Sequence, residues 1–144
     1  MLYIGIDPGK HTGIAVWDPT EKAFLSVDTM LIHQALHYVE ELRHMETARG
    51  SSIKVYFEDA RKRTWLPKEP TRSDYRGKLV GSGSIKRDST IWEDFCTDSR
   101  IEFFKVKPAP GMTKWDAEYF AKVTGWTKRT SNHARDAALL VMGR

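Results

Sequence analysis

The sequence predicts an α/β fold, and three observations carry that expectation. Two apolar runs, 2–6 and 14–17, flank a short turn holding Asp7, Pro8, Gly9 and Gly13. Alternating β-branched residues broken by Gly and Pro read as two strands of an opening hairpin. A helix-period stretch then stands between two strand-like runs, which suggests a right-handed crossover and parallel pairing with the first strand. Finally, a fifth strand is interleaved with three further helices. At 144 residues, 40% hydrophobic and 29% charged, the chain is one domain with a real core, spanning 1–144.

Taken in order, 23–30 reads as a third short strand after the hairpin. Residues 31–48 are helical, because Leu31, Ala35, Tyr38 or Val39, Leu42 and Met45 recur at three- and four-residue spacing. Gly50 is a plausible C-cap of that helix. Residues 53–57 form a fourth strand that ends in Glu58-Asp59. The stretch 60–78 breaks the pattern and is long for a connection inside a compact domain, so it is read as a mobile basic loop. Residues 79–97 return to a helical pattern, opening on Gly81-Ser82-Gly83-Ser84. A fifth strand covers 101–106. Thr113 is the expected cap of a helix over 114–124, and Asn132 that of a last helix over 133–142.

The net charge of +4 and a pI near 9.2 favour a polyanionic partner over an acidic surface. The lone Cys96 excludes an internal disulfide and fits a reducing, cytoplasmic setting. No Cys-x-x-Cys pair exists to build a zinc finger. No run approaches the ~18 apolar residues of a membrane span, and the N-terminus carries no secretory pattern.

The chemistry concentrates on acidic residues. In the first strand Leu2, Ile4 and Ile6 point one way and Tyr3, Gly5 and Asp7 the other. Gly5 removes a side chain and leaves room beside Asp7. Asp7 and Glu58 each end a predicted strand; if these strands are parallel neighbours, the two residues lie roughly 4.8 Å apart. In the last helix His133 and Asp136 share a face, and Ala134, Ala137 and Ala138 allow close packing on the sheet. Three carboxylates packed together repel one another without a cation. A carboxylate-rich set suits Mg²⁺ or Mn²⁺, and two such ions a few ångströms apart would activate water and stabilise the leaving oxygen of a phosphodiester. Each piece alone has a plainer reading. Asp7 before Pro-Gly is also a turn residue, Asp59 rivals Glu58, and a single His is more often structural.

Taken together, Asp7-Pro8-Gly9-x-x-Thr12-Gly13, Glu58 at a strand end and His133-Ala134-Arg135-Asp136-Ala137 opening the last helix resemble the RuvC-like Holliday junction resolvases of the RNase H-like superfamily. The likeness runs over essentially the whole chain, and the small size is similar to phage-encoded members. It implies a mixed five-stranded sheet flanked by helices on both faces and a homodimer. It further implies Mg²⁺-dependent nicking of opposed strands of a four-way junction, in the bacterial cytoplasm or, for a phage protein, in the host cell. By position it makes Asp7, Glu58, His133 and Asp136 the metal-binding and catalytic cluster. Lys114 matches a lysine that contacts the scissile phosphate, although an exposed helix-start lysine reads the same way. The 79–97 helix becomes the dimer helix. One departure stands out. Bacterial members place an aromatic residue close behind the Glu, whereas here the next residues are Asp59-Ala60-Arg61-Lys62.

In 60–78, basic residues interleave with aromatics: Arg61, Lys62, Arg63, Trp65, Lys68, Arg72, Tyr75 and Arg76 suit phosphate contacts and base stacking. A solvated loop is the plainer alternative. Other functions remain open at this point. The same chemistry serves forks, flaps or structured RNA, and a DNA-binding module that has lost catalysis shares the fold. ATPases of the actin and sugar-kinase type also open with Asp-x-Gly-x-x-x-Gly, but they need two lobes to clamp a nucleotide.

Overall fold

The computed structural model describes residues 1–62, 72–108 and 115–144; within 72–82 only the backbone is described. Five strands form one sheet: β1 (Leu2–Asp7), β2 (His11–Asp18), β3 (Ala23–Leu31), β4 (Ile53–Glu58) and β5 (Glu102–Val106), in the order β3-β2-β1-β4-β5. β1 runs antiparallel to β2 and parallel to β4; β2–β3 is antiparallel and β4–β5 parallel. This is the mixed five-stranded sheet expected. The hairpin makes the antiparallel half, and the crossover through α1 (Ile32–Ala48) makes the parallel half.

The period-2 pattern sorts the sheet's two faces. Leu2, Ile4 and Ile6 of β1, Ile14 and Val16 of β2, and Ile53, Val55 and Phe57 of β4 share one face. Against it lie Ala35, Val39 and Leu42 of α1 and Trp92 and Cys96 of α2 (Arg72–Asp98). The other face carries Ala15, Trp17 and Tyr56. It is covered by Phe120 of α3 (Ala117–Thr124) and by Ala134, Ala137 and Ala138 of α4 (Asn132–Leu139). Helices therefore flank both faces. Cys96 is fully buried, and burial pushes its thiol up to about 12, which leaves it a packing residue rather than a nucleophile.

Several boundaries differ from the sequence expectation, each for a physical reason. Gly13 lies inside β2, not in the turn. α2 begins at Arg72, seven residues before the expected start, so 72–78 belongs to a helix and not to the loop. A short 3-10 turn, Ala60–Lys62, takes the loop's other end. α3 is capped by Asp116, whose carboxylate accepts from the Tyr119 N–H at 2.7 Å; Thr113, the expected cap, lies outside the described residues. α4 is capped by Ser131, which accepts from the Ala134 N–H at 3.0 Å, and Asn132 becomes its first residue. Gly50 does come after α1 with φ +70, the left-handed backbone that glycine favours. No described helix is long and apolar enough to cross a membrane.

Candidate active site

The site lies where β1 and β4 end. Ile6 and Phe57 are paired in register, so Asp7 and Glu58 are neighbours one residue further on. Both fall on the sheet face opposite Ile6 and Phe57, the face that α4 covers. The turn beside them is tied by Thr12, fully buried, whose hydroxyl donates to the Gly9 carbonyl at 2.7 Å.

Two glycines set the helix on the sheet. Gly13 pairs directly with Asp7 across the hairpin, and a Cβ there would stand 2.0 Å from the His133 carbonyl oxygen. A Cβ on Gly5 would stand 2.0 Å from the Ala137 carbonyl oxygen. The room that Gly5 leaves beside Asp7 is thus filled by α4 backbone. With Ala134 and Ala137 also fully buried, the first turn of α4 rests almost directly on strand backbone. Further contacts fix its start. Ser131 Oγ lies 2.5 Å from Thr29 Oγ1, and Thr29 pairs with Gly13 on the far side of β2.

Arg135 is the site residue that sequence reasoning missed. It is buried, and its guanidinium donates to the carbonyls of Trp115 (2.7 Å) and Thr130 (2.9 Å), to Thr130 Oγ1 (2.9 Å) and to Asn132 Oδ1. Its neutral acceptors join the start of α3, the 125–131 connection and the first turn of α4. An arginine among small alanines was the available signal. A helix that packs this closely leaves a long side chain no exit, so it must find acceptors inside.

His133 reaches Asp7 itself: Nδ1 lies 2.7 Å from Oδ2. An ionised carboxylate only accepts, so Nδ1 is the donor in this contact. The imidazole is half exposed and Asp7 mostly covered. Asp136 lies three residues on, partly buried beside fully buried Ala137. Asp7, Glu58, His133 and Asp136 are thus on the two strand ends and the one helix that meet here. Their side chains do not close into a ready ligand shell. Among the described residues, no three His, Cys, Asp or Glu side chains group tightly enough to hold a metal ion. The donor chemistry, three carboxylates and an imidazole on rigid elements, is of the kind that hard divalent cations take.

Asp59, the rival to Glu58, is accounted for differently. It is 2% exposed and forms a two-pronged pair with Arg61, Nε to Oδ1 at 2.7 Å and a second guanidinium nitrogen to Oδ2 at 2.9 Å. Burial pushes the Asp59 carboxyl up, but the hydrogen bonds and charge of Arg61 outweigh that and hold it below its ordinary value. Arg61 also bonds Glu93 and, at 3.2 Å, Thr90 on α2. Lys105 of β5 completes the group, 2.7 Å from Glu93. Lys62 turns back as well, donating to the Lys105 carbonyl at 2.7 Å. Two of the expected DNA contacts, Arg61 and Lys62, therefore hold internal partners. Arg63, Trp65, Lys68 and Lys114 lie outside the described residues. Arg72, Tyr75 and Arg76 are on the first turns of α2, with only their backbone described.

No protein-family model matches this chain, and no curated protein matches it in sequence. Solved structures do. Thermus thermophilus RuvC in complex with a Holliday junction substrate aligns at a TM-score of 0.61, with 14% identity over 99% of this chain and 92% of that one. A second Thermus thermophilus RuvC structure aligns at 0.56, with the same identity and coverage. The likeness establishes the fold alone: this chain shares the RuvC fold over 99% of its length.

Proposed function

We propose that this protein is a divalent-metal-dependent endonuclease that resolves branched DNA, four-way junctions foremost, by paired phosphodiester hydrolysis in a homodimer. The observation that supports the reading is the placement of four residues on elements that meet at one end of the sheet. Asp7 and Glu58 stand side by side at the ends of adjacent parallel strands, under a helix turn that brings His133 to 2.7 Å from Asp7 and supplies Asp136. Two supports are added: the backbone likeness to a RuvC that binds a Holliday junction substrate, and the chain's excess of basic residues.

Asp7, Glu58, His133 and Asp136 would hold Mg²⁺, or Mn²⁺ in its place, with two ions per site as the working number. The metal would supply an activated water and neutralise charge gathering on the phosphate. The chain's own part is positional. β1 and β4 fix two carboxylates at one strand spacing, and α4 supplies the other two groups from above. His133, donating through Nδ1, would hold Asp7 in one orientation. Water adds to phosphorus and gives up a proton, the bond to the leaving strand's oxygen breaks, and that oxygen takes up a proton. Lys114 is assigned to the scissile phosphate. Arg63, Trp65, Lys68, Arg72, Tyr75 and Arg76 are assigned to the arms of the DNA.

The dimer reading leans on α2. Residues 83–87 are mostly exposed, Ile85 is 41% exposed, and Gly83 has open space around it. A second reading, a module that binds branched DNA without cutting it, is favoured by the lack of a closed ligand group among the described residues. One experiment separates the two. Synthetic junction, fork, flap and duplex DNA are incubated with Mg²⁺ and either wild type or Asp7→Asn. The nuclease reading expects the wild type to nick junctions in symmetric pairs, while the variant binds them and does not cut. Full activity in Asp7→Asn would sink the site assignment, and preferential cutting of forks or flaps would move the substrate.

A further inference from the structure

We infer that Asp59 and Arg61 are positioning residues for Glu58, and that Arg61 serves the reaction through its ion pairs within the protein and not as a contact to DNA. The inference rests on the nuclease reading of the site.

Glu58 is the last residue of β4, where strand pairing runs out. A carboxylate at such a place has one neighbouring strand residue on its N-terminal side and none of its own strand beyond it. The residues just after it therefore decide where it points. Asp59 is the first of them, and every polar group it has is engaged. Its N–H donates to the Val106 carbonyl at 2.8 Å, tying it to the end of β5. Its own carbonyl accepts from the Lys62 N–H at 3.0 Å, closing the short 3-10 turn. Its carboxylate takes the Arg61 N–H at 3.0 Å and both prongs of the Arg61 guanidinium. Arg61 in turn reaches Glu93 and Thr90 on α2, and Glu93 reaches Lys105 on β5. The chain leaving Glu58 is therefore tied to α2 and to β5, with Asp59 itself 2% exposed. The Glu58 carbonyl sits against Ser89 Oγ of α2 at 3.4 Å. Sheet alternation turns Glu58 toward the α4 face, and the clamp forms on the α2 side. Anchoring one side of the chain by these bonds fixes the direction of the side chain on the other.

The charges agree with this assignment. Two basic groups, Arg61 and Lys105, meet two carboxylates, Asp59 and Glu93, so the group is balanced internally. A guanidinium held by two carboxylates must break both pairs before it can take a phosphate, and the carboxylates it abandons would repel that phosphate. Planar two-pronged pairing also explains the residue type. Lysine offers no fork to match Asp59.

The test compares Asp59→Asn, Arg61→Gln, Arg61→Lys and the Asp59→Asn/Arg61→Gln double variant with wild type, at temperatures well below each thermal midpoint. Three quantities are read: Mn²⁺ affinity of the free protein by calorimetry, the slope of log binding constant against log salt for junction DNA with no divalent metal, and the cleavage rate in Mg²⁺. Each single variant is expected to weaken Mn²⁺ binding and slow cleavage on the order of tenfold, the lower end for groups that support metal ligands. Their salt slopes should match wild type, and the double variant should be no worse than the worse single one, since the pair acts as a unit. Arg61→Lys should fail to restore Mn²⁺ affinity. An Arg61→Gln protein whose salt slope drops by about one, with Mn²⁺ affinity intact, would make Arg61 a phosphate contact and overturn the proposal. Variants that lose only thermal stability would overturn it too. A wild type that neither binds Mn²⁺ nor cuts any branched DNA would instead remove the nuclease reading on which the clamp rests.

Discussion

Gly13 faces Asp7 across the hairpin, and its missing side chain is where the His133 backbone sits. That contact makes a glycine inside a strand part of the site. In Gly13→Ala the new Cβ would meet a carbonyl oxygen at 2.0 Å, a separation that backbone movement alone can relieve. Moving α4 away breaks the Ser131–Thr29 contact and draws His133 from Asp7. The expected cost is about 3 kcal/mol, the upper end of ordinary overpacking, read as a lower urea midpoint. Mn²⁺ affinity should fall with it, because the helix that carries His133 and Asp136 no longer seats. A Gly13→Ala variant of wild-type stability and affinity would show that α4 is not held there. His133→Ala is a gentler change at the same place, since the ring is half exposed. It should leave folding nearly intact and reduce cleavage roughly 10–100-fold, as loss of a group that orients or completes a metal site does. Junction binding measured without metal should not change.

At the scale of elements, the corner formed by the end of β4, the 3-10 turn, α2 and β5 is held by charge. Hydrogen bonds from Lys105 and Arg61 hold the Glu93 carboxyl below its ordinary value, and Arg61 does the same for Asp59 against the opposing effect of burial. Both folded values are depressed, so their contribution is present above ordinary carboxylate values, near 4. It is lost as pH falls past them toward the folded values. The urea midpoint should therefore drop steeply below about pH 4 in the wild type and less steeply in Glu93→Gln; parallel curves would show that the corner contributes nothing to acid stability. This corner also marks how far the sequence could be read. The strands were legible because Leu2-Tyr3-Ile4-Gly5-Ile6 and Ile53-Lys54-Val55-Tyr56-Phe57 repeat every two residues, and α1 because its apolar residues repeat at helical spacing. Glu58 was legible as a strand end. Its neighbour was not, because an Asp beside a Glu and an Arg two residues on look alike as ligands, as phosphate contacts or as a pair. Only the third dimension brings Glu93 and Lys105, 32 and 44 residues after Arg61, to the same point. The early start of α2 escaped because 72–78 carries charge and little apolar periodicity. The cap of α4 moved by one position because Ser131 and Asn132 are chemically similar caps. Gly13 reads as a turn residue because a glycine's lack of a side chain serves a bend and a close contact equally.

For the molecule as a whole, the sheet brings Asp7 and Glu58 to one end, and the proposed function puts its candidate site there. Cutting two opposed strands of a junction together needs two sites related by a two-fold axis. α2 is the element with surface to spare. Its 27 residues span about 40 Å at the helical rise per residue. Among its described side chains, the fully buried members of the hydrophobic core, Trp92 and Cys96, come from the C-terminal part. The preceding residues leave Ile85 exposed and Gly83 open to close approach. If that stretch pairs with its copy, sedimentation at micromolar concentration should give a species of twice the 16.6 kDa chain mass. Ile85→Glu places two like charges near the axis and should shift the population to single chains. The decisive readout is the pattern of cuts on a junction carried by a supercoiled plasmid. Paired incision within one binding event linearises the plasmid, whereas independent cuts first relax it to the nicked circle. Wild type should yield linear product directly, and Ile85→Glu should accumulate nicked circle at an unchanged rate of first cutting, because Ile85 lies outside the proposed acidic cluster. Linear product from a protein that sediments as a single chain would place the second site elsewhere and remove α2 from the interface.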